Sequence, residues 1–240
     1  MIVLVDIGNT RTKYCIVDKG LRSPQQAVLN DRISNAFLSE KFNDANKFIV
    51  ASVSHEQLTN KISDWCETLN IDYQRVVSDV KKNSVVSGYK IASQLGVDRW
   101  LALVAAGALY PKKNVLIVDA GTATTIDFLT SSAQHQGGWI LAGIDTLVSS
   151  VLADTVQVKA KKVEKESLAF GKTTSENVSN AAWVATVGAI NLAISQVKEQ
   201  GFILHKLIIT GGNANLLAPL ITHENTVDEE LVFSGLQAYI

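Results

Sequence analysis

The feature that most constrains the fold of this chain is a strand–turn–strand pattern that occurs twice. With Asp6 aligned to Asp119, the segment VLVDIGNTRT lies over LIVDAGTATT, and Thr12 meets Thr125. Each copy reads as an apolar strand, an Asp-x-Gly turn, small hydroxyl residues and a second strand. Any α/β protein can repeat an apolar strand followed by Asp and Gly. Here each copy opens one half of the chain, so the repeat predicts a duplicated α/β fold.

The length of 240 residues is sufficient for two domains, each with its own core. Pro111 follows a strongly apolar helix predicted over about residues 99–110, and the strand pattern restarts after it. Proline breaks a helix, so this position is the best boundary. We therefore predict an N-terminal domain of residues 1–111 and a C-terminal domain of residues 112–240.

Helical spacing predicts two further helices, and the distribution of charge indicates one surface segment. Residues 31–42 are predicted to form a helix with Asp31 as its N-cap. Residues 175–199 are predicted to form a longer helix, capped by Thr174 or Ser175. Residues 159–167 read as a charged surface stretch.

Charge and cysteine content exclude several classes of protein. A net charge of −1 indicates neither a basic nucleic-acid surface nor a polybasic membrane patch. Cys15 and Cys66 lack a CxxC partner and the histidines are scattered, so no structural zinc site is expected. No signal peptide and no run of about 20 apolar residues is visible. We therefore expect a cytoplasmic protein with reduced, buried thiols.

The first turn, DIGNTRTK at residues 6–13, has the composition of a phosphate-binding loop. Gly8 lets backbone N–H groups approach a ligand closely, and successive N–H groups form an anion-binding concavity. Asp6 can hold Mg²⁺ directly or through water, and Lys13 can reach a phosphate as a point charge. The alternative is an ordinary hairpin with Lys13 in solvent. GGNA at residues 211–214 is a further candidate nucleotide contact, because it follows a strand and precedes a predicted helix.

The segment YKIASQLGVDRW, residues 89–100, has the features of an acceptor-binding segment. Gly96, Asp98 and Arg99 lie at or just before the start of an apolar helix, where an anion is favoured. A carboxylate within reach of an acceptor hydroxyl can serve as a general base. Arg99 can pair with an anionic substrate or with the transferring phosphate. The alternative is that Asp98 caps the helix and Arg99 is a surface cation.

Together these motifs resemble those of type III pantothenate kinases, in the superfamily of acetate and sugar kinases, Hsp70 and actin. DIGNTRTK, LGVDRW, VDAGTATT, GGWILAG, GKTT and TGGNA occur in the family's order and spacing and span nearly the whole chain. The resemblance implies a duplicated ribonuclease H-like (actin-like ATPase) fold, with two similar mixed-sheet α/β domains and a central cleft. It also implies ATP-dependent phosphorylation of the pantothenate hydroxyl to 4'-phosphopantothenate, the first step of coenzyme A biosynthesis.

The resemblance further implies a role for each motif. Asp98 would accept the proton of the pantothenate hydroxyl, and Asp119 would bind K⁺ or NH₄⁺. Thr174 would reach pantothenate from the partner subunit of a homodimer. Mg²⁺ is expected near Asp6, held through water. The ATP site would comprise Asp6, Ile7, Gly8, Asn9, Thr10, Arg11, Thr12, Lys13 and Thr122. The pantothenate pocket would comprise Tyr89, Gly96, Val97, Asp98, Arg99 and Thr174.

Three positions depart from the family pattern. Ala92 and Ala142 each stand where the family usually has proline, and Thr173 stands where the family's GKNT or GRNT has asparagine. None of these changes removes a proposed catalytic group. Two alternatives are another small-molecule kinase of the superfamily, acting on a sugar or acetate, and a non-catalytic ATP-binding regulatory protein. An enzyme is favoured by the retention of Asp6, Lys13, Asp98, Arg99 and Asp119.

Overall fold

The computed structural model describes residues 1–53, 55–154 and 166–240 of the chain. Most of the charged stretch predicted over residues 159–167 lies outside the described residues. The described residues pack into two compact units. Unit 1 comprises Met1–Asn83, Tyr89–Ala105 and Glu230–Ile240, and unit 2 comprises Ser84–Gly88 and Ala106–Glu229. The domain boundary after Pro111 stays a prediction.

Unit 1 is built on a mixed sheet. Its strands are β1 (Ile2–Ile7), β2 (Arg11–Asp18), β3 (Leu21–Arg22), β4 (Gln26–Leu29), β5 (Lys47–Ser52) and β6 (Asp72–Val76). The strand order is β3-β2-β1-β5-β6, and β4 pairs with β2. β1 and β2 are antiparallel, whereas β5 runs parallel to β1 and β6 parallel to β5. Parallel neighbours need crossover connections, and helices supply them here.

The helices of unit 1 follow its strands along the chain. The crossovers on either side of β5 contain α1 (Asn35–Phe42) and α2 (Glu56–Thr68). A 3₁₀ turn at Asn30–Arg32 precedes α1. Beyond β6 come the short strands β7 (Lys81–Lys82) and β8 (Val85–Val86), a 3₁₀ turn at Ala92–Gln94, and α3 (Val97–Leu109).

Unit 2 contains the second sheet. Its remaining elements are β9 (Val115–Ala120), β10 (Ala123–Leu129), β11 (His135–Ala142), α4 (Ile144–Asp154), α5 (Thr174–Glu199), β12 (Lys206–Thr210), α6 (Ala214–Leu217), a 3₁₀ turn (Ala218–Leu220) and β13 (Thr226–Val227). The sheet order is β11-β10-β9-β12-β13. A final helix, α7 (Leu231–Gln237), belongs to unit 1 and contacts β1.

The two sheets share one topology, as the repeat predicts. In each, an antiparallel strand–turn–strand pair is followed by two strands that run parallel to the first strand. The pair is β1–β2 in unit 1 and β9–β10 in unit 2. Asp6 and Asp119 therefore occupy equivalent positions near the ends of β1 and β9.

The turns of the two copies differ in length, which corrects the gapless sequence alignment. Ile7 pairs with Thr12 across the first turn, whereas Ala120 pairs with Thr124 across the second. The second turn is thus one residue shorter. Thr124, rather than Thr125, is the structural equivalent of Thr12.

The observed helix caps differ from the predicted ones. Asp31 lies in the 3₁₀ turn, and the side chain of Ser34 caps α1 by accepting the N–H of Phe37. Thr173 caps α5, so the predicted caps Thr174 and Ser175 are wrong. Several residues with suitable side chains precede each helix, and composition alone does not choose among them.

Each face of the unit 1 sheet is covered by helices, because alternate strand residues point to opposite sides. Val3 and Val5 of β1 pack in the core cluster that contains Leu38 of α1 and Ile62 of α2. Leu4 faces the other side. It packs with Ile49, Leu101, Phe233 and Leu236, residues that come from β5, α3 and α7. Both cysteines are buried free thiols, as predicted.

Helix α5 is the central core helix of unit 2. By length and composition it could cross a membrane, a candidate that the sequence analysis did not anticipate. Half of its most apolar window is nevertheless buried inside the protein. Trp183, Val187 and Ile190 pack against strand residues Leu116 and Phe128. Core helices of globular proteins have this same apolar character.

Candidate functional site

The tip of the first turn, residues 8–10, lies between two charged residues. Asp6 on β1 is directly opposite Lys13 on β2 in the antiparallel pair. The turn is closed by a hydrogen bond from the N–H of Gly8 to the carbonyl of Arg11, at 3.1 Å. The strand register thus places the Asp6 carboxylate and the Lys13 ammonium group beside a tight turn that contains glycine. Such a turn can bind an anion through its backbone N–H groups, and the carboxylate can bind a cation.

Asp6 lies in an environment that disfavours its charged form. Burial, and secondarily the negative charge of Asp98, raise the pKa of the Asp6 carboxyl to about 6, while Lys13 opposes the shift. The effect of Asp98 shows that the two carboxyl groups are close enough to repel each other. A bound cation would relieve this excess of negative charge, so the donor set fits a hard metal ion.

Asp98 lies in the first turn of α3, where an anion is stabilised by the helix dipole. Its Oδ1 atom accepts the backbone N–H of Arg99 at 2.7 Å. A Cβ atom at position 96 would stand 2.6 Å from that oxygen, so any side chain there would displace the carboxylate. Gly96 therefore leaves the space that the Asp98 carboxylate occupies. The predicted helix start at residue 99 is two residues late, since α3 begins at Val97.

Arg99 is buried rather than a surface cation, with 5% of its area exposed. Its guanidinium donates to the hydroxyl of Tyr89 at 2.8 Å and stands 5.6 Å from the centroid of the Tyr89 ring. Arg99 thus contacts both Tyr89, through its guanidinium, and Asp98, through its backbone N–H. A guanidinium held in one orientation by a tyrosine hydroxyl can bind the anionic end of a small substrate.

The second turn contains the equivalent carboxylate, Asp119, at the end of β9. Gly211 follows β12 with a φ of +90°, a conformation that favours glycine. A Cβ atom on Gly211 would collide with the Asp119 carboxylate. The GGNA segment therefore lies directly against Asp119. Thr122 is exposed in this turn, and its carbonyl accepts the N–H of Gly143.

Thr173 and Thr174 have different structural positions. The Thr173 hydroxyl accepts the N–H of Glu176 at 3.2 Å, and the Glu176 carboxylate accepts the N–H of Thr173 at 3.1 Å, which is a capping box. Threonine and asparagine are both good N-caps, so the departure from the family's asparagine preserves the cap. Thr174 is exposed in the first turn of α5.

The structure assigns the predicted site residues to both units. Unit 1 contains residues 6–13, Tyr89 and residues 96–99, and unit 2 contains Asp119, Thr122 and Thr174. Within unit 1, Asp6, Lys13 and Asp98 share one electrostatic environment.

Two residues that contact the first turn, Asn30 and His55, were not predicted from the sequence. The side-chain amide of Asn30 donates to the carbonyl of Gly8 at 2.9 Å. The Nε2 atom of His55 lies 2.6 Å from the carbonyl of Asn9. An asparagine after a strand is an ordinary turn residue, and both bonds join positions far apart in the chain. No local pattern could have identified these contacts.

Structural comparison shows the fold at low sequence identity. A solved protein from Campylobacter jejuni, assigned to the Baf family of transcriptional activators, superposes with a TM-score of 0.63 at 23% identity and covers 98% of this chain and 95% of its own. The activator of 2-hydroxyisocaproyl-CoA dehydratase from Clostridium difficile, solved with bound ADPNP, superposes with a TM-score of 0.53 at 10% identity, covering 99% and 93%. The predicted ribonuclease H-like α/β fold is confirmed.

Sequence comparison is more specific. A family model for type III pantothenate kinase matches residues 2–196. The type III pantothenate kinase of Colwellia psychrerythraea strain 34H is 45% identical over 249 residues, an alignment that covers 100% of both chains. The chain therefore belongs to the type III pantothenate kinase family, whose members phosphorylate the hydroxyl of pantothenate with ATP in coenzyme A biosynthesis.

Proposed function

We propose that Asp98 is the general base of this phosphoryl transfer and that residues 6–13 hold the phosphates of ATP. Both roles are supported by the position of Asp98 near Asp6: burial raises the pKa of the Asp6 carboxyl, and the negative charge of Asp98 raises this pKa further. A phosphate held at the first turn would then lie near a carboxylate that can take a proton.

Phosphoryl transfer requires positioning and charge stabilisation more than covalent chemistry from the protein. The bond from the N–H of Arg99 fixes one oxygen of Asp98. Held in this way, the carboxylate would orient the pantothenate hydroxyl and accept its proton. Arg99, supported by Tyr89, would bind the pantothenate carboxylate or stabilise charge on the phosphoryl group.

The proposed magnesium contact is at Asp6, through water. Among the described residues there is no cluster of three His, Cys, Asp or Glu side chains that could hold a metal ion. Magnesium at Asp6 would therefore take its other ligands from ATP and water, as this ion commonly does. When bound, it would neutralise charge on the phosphates. A metal-bound structure with Asp6 at about 2.1 Å from Mg²⁺ would contradict the water-mediated contact.

The proposed monovalent cation site is at Asp119. Its carboxylate is an oxygen ligand, and the GGNA segment approaches it closely at Gly211. We expect activity to fall sharply when K⁺ or NH₄⁺ is replaced by Na⁺ at constant ionic strength. Equal rates with all three ions would remove this role from Asp119.

The base assignment predicts that Asp98→Asn loses about 10²–10⁴-fold in kcat while the protein stays folded, because removing a general base has this effect. Asp64→Asn makes the same chemical change at an exposed position of α2 and should leave kcat unchanged. The measurement is coupled ADP release with pantothenate, compared with sugars and acetate as acceptors. An Asp98→Asn enzyme with near-normal kcat would contradict the assignment of Asp98 as the general base.

The proposal extends to a cytoplasmic homodimer. Val184 and Leu192 lie two helical turns apart on α5, and their side chains are 46% and 54% exposed. Phe170, just before α5, is fully exposed. Exposed apolar side chains such as these are found at protein interfaces, and they support a contact between two copies of the chain along α5.

A further inference from the structure

We infer that Asn30 is a positioning residue for ATP, assisted by His55. Together they hold the carbonyl oxygens of the first turn and so aim its backbone N–H groups at the phosphates. This inference rests on the proposed phosphate-binding role of the turn.

Three consecutive carbonyl oxygens of the turn accept hydrogen bonds from these two residues. The side-chain amide of Asn30 donates to the carbonyls of Gly8 and Asn9, at 2.9 and 3.3 Å. The backbone N–H of Asn30 donates to the carbonyl of Thr10 at 3.1 Å. His55 Nε2 lies 2.6 Å from the Asn9 carbonyl, so this nitrogen carries the proton.

These bonds fix the direction of the amide groups as well. In a trans peptide the C=O and the following N–H point in opposite directions, and the described residues contain no cis peptide bond. Carbonyls that point at Asn30 and His55 therefore turn the N–H groups of Asn9, Thr10 and Arg11 to the other side. Such aligned N–H groups bind anions, whereas an inward carbonyl would repel a phosphate.

Asn30 is itself held in one orientation. The hydroxyl of Thr12, 2% exposed, donates to Asn30 Oδ1 at 2.8 Å, which leaves the amide NH₂ facing the turn. Strand β4 ends at Leu29, which pairs with Arg11 of β2. The pairing of β4 with β2 thus positions Asn30 beside the turn, and the hydrogen bond from the buried Thr12 hydroxyl fixes the orientation of the Asn30 side chain.

The second turn shows that the fold does not require this arrangement. Thr124 is the equivalent of Thr12 and is equally buried, at 1% exposure. Its hydroxyl has no hydrogen-bond partner among the described residues. The strand–turn–strand unit therefore forms without an asparagine at this position, which favours a ligand-related role for Asn30.

The test compares two nearly isosteric variants, Asn30→Asp and Asn30→Leu, in the full-length enzyme. Both remove the amide donor, and the aspartate variant retains the acceptor for Thr12. We expect kcat/KM for ATP to fall about 10- to 100-fold in both, because small displacements of a binding group have effects of this size. KM for pantothenate and the melting temperature should change little. Asn60→Asp, at an exposed position of α2, is the matched control and should behave as wild type.

His55 provides a second comparison. His55→Gln retains a donor for the Asn9 carbonyl and should keep most of the activity with ATP, whereas His55→Phe should lose part of it. Because His55 and Asn30 share that carbonyl, the effects of His55→Phe and Asn30→Leu should be non-additive in a double-mutant cycle.

The outcomes separate this inference from the proposed function. Unchanged kcat/KM for ATP in Asn30→Leu would overturn the inference, as would a loss confined to the charged Asn30→Asp variant. Equal losses for ATP and pantothenate, accompanied by a lower melting temperature, would show a merely structural role. Lys13→Ala tests the turn itself. If its kinetics with ATP are normal, the phosphate-binding proposal fails, whatever the Asn30 variants do.

Discussion

At the scale of single residues, Asp6 links the stability of the ligand-free protein to pH. Its carboxyl has a pKa of about 6, compared with 3.8 ordinarily, because of burial and the nearby Asp98. The folded protein therefore binds more protons than the unfolded chain between these values, and stability falls as the pH rises through about 6. At about 1.4 kcal/mol per pKa unit, the loss is on the order of 2–3 kcal/mol at most.

Asp6→Asn should remove this dependence. The free energy of unfolding of the variant, relative to wild type, should rise by roughly 2–3 kcal/mol between pH 4 and pH 8. Urea denaturation without nucleotide or divalent cations measures this difference. Parallel pH profiles for the two proteins would show that Asp6 is not the residue responsible.

At the residue scale, the contacts that can be expected from the sequence are those between neighbours in the chain. Gly96, Asp98 and Arg99 are neighbours, so their clustering could be expected from LGVDRW alone. Asn30 and His55 could not be found, because their bonds to the first turn depend on how distant strands pair. The buried state of Arg99 likewise depends on packing, and the interpretation of it as a surface cation is wrong.

At the scale of elements, two neighbouring threonines at the start of α5 should affect different properties. Thr173 should affect the stability of the protein, and Thr174 should affect the binding of pantothenate. Thr173→Ala removes the hydroxyl that accepts the Glu176 N–H and should reduce the free energy of unfolding by about 1 kcal/mol. Thr173→Asn keeps a side-chain oxygen that can cap the helix, so this variant should be as stable as wild type. Thr174→Ala removes an exposed hydroxyl without a capping role. It should leave the melting temperature unchanged but raise KM for pantothenate. Equal melting temperatures for the two alanine variants would contradict the assignment of the cap.

Buried strands were predicted best among the elements. The runs KFIVAS and KLIIT predict strands over residues 47–52 and 206–210, and the structure has strands at Lys47–Ser52 and Lys206–Thr210. A short run of apolar residues between polar turns is a strong signal for a strand. The polar composition of residues 78–93 predicts an irregular segment, whereas the structure has the two-residue strands β7 and β8 there. Strands this short form through pairing rather than through any intrinsic pattern.

At the scale of the whole molecule, the proposed homodimer predicts a link between assembly and substrate affinity. Leu192→Glu introduces charge on the exposed apolar face of α5 and should produce a monomer in sedimentation experiments. If Thr174 acts from the partner subunit, the monomer should also bind pantothenate more weakly. Leu69→Glu, at an exposed apolar position of unit 1, should remain dimeric. A fully active monomeric Leu192→Glu enzyme would contradict the role of the partner.

The repeat predicted the duplicated topology, but it could not predict where the chain returns to its first unit. Glu230–Ile240 belongs to unit 1, although all of unit 2 precedes it in the chain. Phe233 and Leu236 of α7 share a core with Leu4 and Leu101. No periodicity within residues 231–237 shows which of two sheets the helix will cover.

The return of α7 has a consequence for biosynthesis. A ribosome makes β1 early and α7 only after the whole of unit 2. A nascent chain that has reached any point within unit 2 therefore lacks Phe233 and Leu236, which complete the cover of one face of its first sheet together with α3. Unit 2 can fold as soon as it emerges, whereas unit 1 must wait with apolar surface uncovered, the condition in which nascent proteins recruit chaperones.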